Sequence, residues 1–406
     1  MITNLRTLFI TSDLVYPPSR GAPLRTWQNI NTMMEYGTVS FFSVTWFEIE
    51  QIVPPPGIDL WHYEYVLQPI KPQTKLRIDR TISSYYSDAA GKNLEEFIEK
   101  FQPDLVIIEE IWLYFYLQIV KRYPCQIIFD NHNVEIEILQ QTLPAKLERK
   151  PHLKEEIGLE LEYERIKCIE QDLINQTNQT WVCSQEDAHL LSKYYGQKSK
   201  IYVIPNTVDV TSYEHLHFQE YTPREQASSK EHNIIFTGTF YYLPNKEAAE
   251  VLIEKIYPQL SKIYPNCRLL LVGQKPTEYL QHVSQEEPGI IATGTVPDTR
   301  PYFASASVLV APLFQGGGTR LKILEAFAAG CPVITTTKGA EGLKVTDGEH
   351  LLIRNTPDEM VAAVCQLWSE PSLGQKLADS AYQLVQAEYS WQAVKPKIER
   401  AIQELF

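Results

Sequence analysis

The sequence has little positive charge and no long apolar run, and each absence excludes a class of protein. Its 406 residues carry 37 Lys and Arg against 50 Asp and Glu, a formal net charge of −13. Nucleic-acid binding and broad adhesion to an anionic membrane need clustered cations. We therefore expect no nucleic-acid partner and at most peripheral membrane contact. No stretch approaches the roughly 18 apolar residues of a membrane span, and residues 1–10 lack a signal-peptide core, so we expect a cytoplasmic protein.

Metal-binding patterns are also missing from the sequence. The six cysteines form no Cys-x-x-Cys pair and have no neighbouring His at metal-ligand spacing, so we interpret them as reduced core thiols. No Asp-x-Asp occurs, although this is the usual device for holding a divalent metal on a nucleotide diphosphate. We therefore expect neither a metal nor another cofactor.

Short apolar runs alternate with helical patterns in two successive blocks. The predicted strands are 7–11, 39–44, 105–108, 126–130, 180–183 and 200–204, then, after a polar stretch at 211–233, 234–237, 268–272, 289–293, 308–311 and 332–335. Buried strands that alternate with helices indicate parallel sheets covered on both faces. The sequence therefore predicts an α/β protein with two doubly wound, Rossmann-like domains facing across a cleft. The predicted domains are 1–210 and 211–387, with a C-terminal helix at about 388–406 packed back on the first.

Two segments depart from this alternation. Residues 46–86 form a Pro-interrupted aromatic stretch that cannot be one regular element. These aromatics either line an acceptor pocket or pack under an irregular loop. Residues 153–174 place apolar side chains near helical spacing, which predicts a long surface helix.

The strongest chemical signal is the glycine run Gly316-Gly317-Gly318, which follows a predicted strand and precedes Thr319-Arg320-Leu321-Lys322. Glycines let backbone N–H groups approach a phosphate, and a helix beginning near Thr319 would direct its positive end there. Arg320 and Lys322 add local positive charge. Glu325, one to two turns into that helix, would accept hydrogen bonds from a ribose diol. The run matches neither the Walker pattern nor Gly-x-Gly-x-x-Gly, and a merely flexible loop remains the alternative.

Residues 316–336, with 339–343 after them, are similar to the donor-site signature of retaining glycosyltransferases of family 4, which have the GT-B fold. The chain resembles the branch with a glycine-rich donor loop. Further blocks resemble the family in the same order along nearly the whole chain. They include Tyr16-Pro17-Pro18 with Gly21 and Arg25, Asp130-Asn131-His132-Asn133-Val134-Glu135, Ile204-Pro205-Asn206, Phe236-Thr237-Gly238, Leu271-Val272-Gly273 and Gly294-Thr295-Val296.

The resemblance implies a nucleotide diphosphate sugar as substrate and a set of residues that bind it. The implied donor-binding residues are Gly21, Asn206, Gly238, Lys246, Gly273, Val296, Gly316, Gly317, Gly318, Thr319, Arg320, Leu321 and Glu325. Val296 would offer backbone groups to the base, and Asn206 would lie at the domain hinge. The implied catalytic residues are His132, in contact with donor sugar or acceptor, and Arg320, beside the departing diphosphate. A structural role for His132 is the alternative.

The chain also departs from the family pattern at four places, one of which is Gly21-Ala22, where the family has a glycine pair near the N-terminus. The family commonly has two glutamates eight positions apart, but Gly317 stands where the first would be, which bears on sugar selection. The family's Asn-Gly reads Asn206-Thr207. The basic pair that usually follows the second domain's first strand is absent; Lys246 is the first cation there, and Arg320 and Lys322 would compensate.

We therefore expect a metal-independent, retaining glycosyltransferase whose partners are a nucleotide sugar and a glycan, lipid-linked or small-molecule acceptor. Two alternatives use the same fold. A sugar-nucleotide epimerase or hydrolase would consume donor without an acceptor, and a catalytically inactive binding protein would hold nucleotide without turnover.

Overall fold

The computed structural model describes residues 4–18, 21–46, 48–49, 52–72, 76–147, 153–196, 200–217 and 232–406. The chain forms two compact units. The first comprises Met1–Pro205 together with Lys395–Phe406, and the second comprises Asn206–Val394. In the first unit the C-terminal segment is anchored where the Gln179 side-chain amide donates to the Ala401 carbonyl oxygen at 2.6 Å. Most of the predicted polar stretch, 218–231, lies outside the described residues.

The described part of the first unit contains a seven-stranded parallel sheet. Its strands are β1 (Leu5–Thr11), β2 (Gly37–Thr45), β3 (Trp61–Tyr65), β4 (Leu105–Glu109), β5 (Gln126–Asn131), β6 (Gln179–Val182) and β7 (Lys200–Val203). They pair in the order β3-β2-β1-β4-β5-β6-β7. In the middle of the sheet Phe9 pairs with Ile107 and Ile107 with Ile128, and all three are fully buried. Burial on both faces explains why these strands are continuous apolar runs.

The helices of the first unit connect these parallel strands. They are α1 (Gly21–Met33), α2 (Arg77–Ser84), α3 (Asp88–Phe101), α4 (Tyr114–Val120), α5 (Glu135–Leu147), α6 (Leu153–Gln176) and α7 (Gln185–Tyr195). Capping residues define where some of them begin: the Ser184 hydroxyl accepts from the Asp187 N–H at the start of α7.

The described part of the second unit contains a six-stranded parallel sheet. Its strands are β8 (Asn233–Thr237), β9 (Arg268–Val272), β10 (Ile290–Ala292), β11 (Val308–Ala311), β12 (Val333–Thr335) and β13 (Leu352–Ile353). They pair in the order β10-β9-β8-β11-β12-β13. The helices are α8 (Glu214–His217), α9 (Leu243–Val251), α10 (Tyr257–Ile263), α11 (Glu278–Glu286), α12 (Arg300–Ser305), α13 (Leu321–Ala328), α14 (Thr337–Ala340), α15 (Pro357–Ser369) and α16 (Pro371–Leu384); α17 (Trp391–Gln403) closes the chain.

The aromatic segment 46–86 is more regular than the sequence predicts, because it contains β3 and α2. β3 is an edge strand whose side chains are mostly half-buried, so it lacks the apolar run of the interior strands. Its rings pack on β2: the Phe41 and Tyr63 centroids lie 5.3 Å apart and those of Phe42 and His62 4.8 Å. The packed-aromatic interpretation therefore describes β3, although the supporting element is a strand.

The predicted helix at 153–174 is confirmed as α6. Its C-terminal half packs on the core, where Ile169 and Leu173 are buried, whereas Ile157 and Leu161 are exposed. Among the described residues, no helix combines the length and apolar composition that crossing a membrane requires.

Candidate functional site

Each sheet has a topological switch point, where successive connections leave in opposite directions. In the first unit it lies between β1 and β4, and in the second between β8 and β11. In open α/β sheets ligands bind beyond the carboxyl ends of the strands at this point. The candidate positions are therefore the residues that follow β1, β4 and β5 in the first unit and β8, β9 and β11 in the second.

The first unit places a buried ion pair beside its switch point. Arg25 of α1 is 1% exposed, and its Nη2 lies 2.6 Å from Oδ1 of Asp130 in β5. The other Arg25 terminal nitrogen, Nη1, donates to the Ile204 carbonyl oxygen at 2.6 Å, and Asn29 donates to Asp130 at 3.1 Å. Burial disfavours the Asp130 carboxylate, but the Arg25 charge overcomes this and holds the pKa of Asp130 below its usual value. Arg25 and Asp130 are therefore both charged in the interior.

His132 follows β5 and lies between two carboxylates. Its Nε2 is 3.4 Å from Asp130 Oδ2, and its Nδ1 is 3.6 Å from Glu110 Oε1. Neither ring nitrogen makes a hydrogen bond to a described residue, and the side chain is 8% exposed. Burial would lower the pKa of His132, but Asp130 and Glu110 raise it to about 10. The raised pKa favours the imidazolium form of His132 at neutral pH, in which both ring nitrogens are donors.

Glu109, the last residue of β4, is the other buried acid of this cluster. It accepts from the Thr26 hydroxyl at 2.6 Å, and burial raises its pKa above the usual value. Ligand atoms of Glu109, Asp130 and His132 lie within 4.8 Å of one another, a composition that could suit a metal ion. However, the Arg25 guanidinium contacts Asp130 directly. The electrostatics of the cluster therefore oppose a divalent cation.

The second unit has two closely packed glycines at its carboxyl edge. Gly238 follows β8 and Gly273 follows β9, and a Cβ on Gly273 would lie 1.9 Å from the Gly238 carbonyl oxygen. A Cβ on Gly238 would lie 2.8 Å from the Asn245 side-chain nitrogen and 3.1 Å from Lys322 Nζ. Neither position has room for a side chain, so glycine at both positions lets the two backbone segments and the Asn245 and Lys322 side chains pack closely at the edge.

The glycine run follows β11, as predicted. Arg320 was expected to face a diphosphate, but its guanidinium contacts the glycine run itself. The Arg320 guanidinium donates to the carbonyl oxygens of Gly317 and, at 2.7 Å, Gly318, so it braces its own loop. Helix α13 begins at Leu321 rather than near Thr319, because Gly318 has a φ of +64° and Arg320 is extended. The side-chain amide of Asn206, the first residue of this unit, donates to the Thr319 hydroxyl at 2.8 Å. This hydrogen bond fixes the glycine loop.

Lys322, the second residue of α13, is the cation beside these glycines. Its Nζ donates to Asn245 Oδ1 at 2.6 Å and lies 3.9 Å from the Phe236 ring centroid. Burial, reinforced by the Arg320 charge, lowers the pKa of Lys322 well below its usual value. Sequence reasoning credited it with local charge but left it out of the donor site. Lys246, which it included, lies on α9 at 43% exposure with its Nζ 3.8 Å from Glu250.

Glu325 lies in the same helix, within reach of a tyrosine. The Tyr213 hydroxyl donates to Glu325 Oε1 at 3.1 Å, and burial raises the pKa of Glu325 to about 7 despite this bond. Val296, in the loop after β10, and Leu321 are partly buried against the core of this unit. Gly21 is the exposed first residue of α1 and, like His132, belongs to the first unit.

Comparison with known proteins finds relatives of this chain. Residues 231–370, which contain most of the second-unit edge, match the family model described as Glycosyl transferases group 1. The phosphatidyl-myo-inositol mannosyltransferase of Mycolicibacterium smegmatis is 28% identical over 202 residues, 48% of this chain and 50% of the relative. The predicted resemblance to group 1 glycosyl transferases is therefore confirmed for residues 231–370. The chain spans about half the length of the curated relatives it matches.

Solved structures resemble the chain over nearly its whole length. Sucrose-phosphate synthase from Thermosynechococcus elongatus is 16% identical with a TM-score of 0.75, covering 99% of both chains. HepE of Anabaena, solved in complex with UDP, is 13% identical with a TM-score of 0.69, covering 98% of this chain and 100% of HepE. At these identities the likeness shows the fold, and it confirms the predicted α/β, GT-B class.

Proposed function

We propose that this protein transfers a sugar from a nucleotide diphosphate donor to an acceptor hydroxyl, with retention of configuration and without a divalent metal. The observation that carries the proposal is Lys322, set beside Gly238 at the switch point of the unit that matches the family model. Glycine backbone and a buried lysine amine, whose protonated form a bound diphosphate would favour, together provide what a diphosphate needs. The UDP complex of HepE, a structural neighbour, supports a nucleoside diphosphate as ligand.

The reaction requires little from the protein beyond charge and position. The bond between the sugar's anomeric carbon and the diphosphate breaks, and the acceptor oxygen forms a new bond on the same face. The acceptor proton passes to an oxygen of the leaving diphosphate. Lys322 and the backbone N–H groups of the glycine run would stabilise the leaving charge, and Glu325 would hold the ribose. His132, as an imidazolium, would donate to the sugar or acceptor rather than remove a proton. The acceptor would be a glycan, a lipid-linked sugar or a small molecule.

A screen of nucleotide sugars tests this function directly. A donor at 100 times its dissociation constant raises the unfolding free energy by about 2.7 kcal/mol, which thermal unfolding detects. The stabilising donor is then incubated with candidate acceptors, and the anomeric configuration of the product is read by NMR. We expect transfer with retention that survives EDTA. Donor consumption without acceptor would indicate a hydrolase or epimerase, binding without turnover an inactive protein, and loss of activity with chelator a metal requirement.

Two lysines allow a matched test of the nucleotide site. Lys322→Met should weaken nucleoside diphosphate binding at least tenfold, about 1.4 kcal/mol, because the buried cation is lost. Lys246→Met, which removes an exposed cation paired with Glu250, should change the affinity less than twofold. Both variants are compared by calorimetry after their melting temperatures have been checked. Equal effects of the two substitutions would contradict the placement of the diphosphate beside Lys322.

A further inference from the structure

The residue after β4 has a backbone conformation that its side chain makes costly. Glu110 has a φ of +61° and a ψ of 157°, a region that essentially only glycine adopts. Its N–H donates to the Asp130 carbonyl oxygen at 3.1 Å, which fixes the strained turn against β5. Glutamate persists in such a conformation only where its surroundings enforce it. Strained residues of this kind concentrate at functional sites, and Glu110 lies at the switch point of the first unit.

The Glu110 carboxylate connects the ends of three strands. It accepts from the hydroxyl of Ser12, which follows β1, and its Oε1 lies 3.6 Å from His132 Nδ1, which follows β5. The side chain is 19% exposed, so a ligand can reach it. The backbone strain at Glu110 has a cost in stability, and we interpret it as a sign that the partly exposed carboxylate contacts a ligand.

His132 supplies the second, independent observation. It is more than nine-tenths buried, and neither ring nitrogen makes a hydrogen bond to a described residue. Its two nitrogens face Asp130 and Glu110 only at 3.4 and 3.6 Å, too far for good hydrogen bonds, so a ligand hydroxyl beside Glu110 can still complete a hydrogen bond to the ring. The Arg25 charge is already compensated by Asp130, so the cluster has no excess positive charge for an anion.

Glu110 and His132 thus present an acceptor and donors side by side, which complements hydroxyl groups, since each hydroxyl both donates and accepts. We propose that Glu110 is a substrate-contacting residue that binds, together with His132, neighbouring hydroxyls of a neutral sugar ring. This rests on the proposed glycosyl transfer and deepens it: the first unit selects an uncharged, hydroxyl-rich group rather than a carboxylate or phosphate at this point.

Three variants of Glu110 separate contact with substrate from a structural role. Glu110→Gly removes the carboxylate and relieves the backbone, Glu110→Ala removes the carboxylate and keeps the strain, and Glu110→Gln keeps the shape without the charge. Gln102→Gly is the matched control, because Gln102 also has a positive φ, of +52°, but caps the end of α3 with an exposed side chain. Melting temperature, KM, kcat and the affinity for the bare nucleoside diphosphate are measured for each.

We expect Glu110→Gly to melt above Glu110→Ala and no lower than wild type. All three Glu110 variants should raise at least tenfold the KM for the donor or for the acceptor of the wild-type reaction. Their affinity for the nucleoside diphosphate should change less than twofold. Gln102→Gly should leave KM and kcat at wild-type values. Wild-type KM in a stable Glu110→Gly variant would overturn the proposal while the glycosyl transfer stands, as would rates that merely follow the folded fraction. A wild-type protein that transfers no sugar would overturn both.

Discussion

The carboxyl edges of the two sheets have the same strand order at the switch point but opposite chemistry. The first unit crowds Arg25, Asp130 and His132 into its interior, each less than a tenth exposed. The second unit packs the backbones of Gly238 and Gly273 closely at its edge and adds the buried amine of Lys322, whose pKa burial lowers. Charged side chains would fix the orientation of hydroxyl groups, whereas glycine backbone would bind a phosphate whichever sugar is attached to it. One fold can therefore divide recognition between selective and general contacts.

The two edges should also differ in what a substitution costs. Removing one partner of a buried ion pair leaves the other charge without compensation, which strongly destabilises a protein. Removing a buried lysine that is already poorly solvated costs little stability, and its effect should appear in ligand affinity. Stability should therefore report on the first unit and nucleotide binding on the second.

The largest effect is expected for Arg25→Met, which leaves the Asp130 carboxylate in the interior without its ion-pair partner. We expect a loss of about 3–5 kcal/mol in the free energy of unfolding, measured by urea denaturation. The matched control is Arg6→Met, which breaks the half-exposed pair between Arg6 and Asp104, whose shortest N–O distance is 2.9 Å. That change should cost less than about 1 kcal/mol. Similar losses from both substitutions would show that burial does not increase the contribution of the Arg25–Asp130 pair to the free energy of unfolding.

The sheets were largely predictable from the sequence, because a strand buried on both faces leaves a continuous apolar run. All eleven runs identified in this way are strands of the structure. β3 was not predicted, since an edge strand such as Trp61–Tyr65 alternates polar and aromatic residues and has no apolar run. β13 was also missed, because two residues are too few to form a pattern.

The site was less predictable because its geometry depends on distant contacts. The glycines of the second edge and Glu325 follow from spacing and resemblance, but the turning of Arg320 onto the Gly318 carbonyl does not. Lys322 was not predicted as a donor-site residue, because it lies beside Gly238 only in the folded chain and the two residues are 84 positions apart in the sequence. Glu110 gives no sequence signal, since backbone strain cannot be read from residue types.

The second prediction concerns pH and the charge of His132. Because its folded pKa, about 10, is above the unfolded value of about 6.5, His132 stabilises the fold fully below pH 6.5 and loses this contribution by about pH 10. The difference in unfolding free energy between wild type and His132→Gln should therefore be greatest at low pH and fall by more than about 2 kcal/mol across that window. Glu109 also has a raised pKa, but both proteins retain it. A difference independent of pH would show that folding does not shift the pKa of His132, and a difference that grows with pH would show that the fold holds the imidazole neutral.

The third prediction tests the opposite edge through Glu325. Glu325→Ala should weaken binding of the nucleoside diphosphate by roughly 1–3 kcal/mol, because a ribose diol would lose its charged acceptor. Since the pKa of Glu325 is raised to about 7, wild-type affinity should also increase as the pH rises through neutrality. Glu250, a half-buried glutamate of α9, provides the control: calorimetry on Glu250→Ala should show wild-type affinity. Unchanged affinity in a folded Glu325→Ala protein would remove Glu325 from the nucleotide site.

The smallest effect on nucleotide affinity is expected for His132→Ala, and it tests the division between the two edges most sharply. The residues assigned to the nucleotide, from Gly316 to Glu325, belong to the second unit, whereas His132 belongs to the first. Nucleoside diphosphate affinity should therefore stay within about threefold of wild type, less than roughly 0.7 kcal/mol, while turnover falls strongly. A histidine with only a structural role would lower the melting temperature, and the rate would follow the folded fraction. Melting curve, affinity and initial rate measured on one preparation distinguish these cases, and wild-type turnover in a stable variant would show that hydroxyl recognition in the first unit does not need the imidazolium.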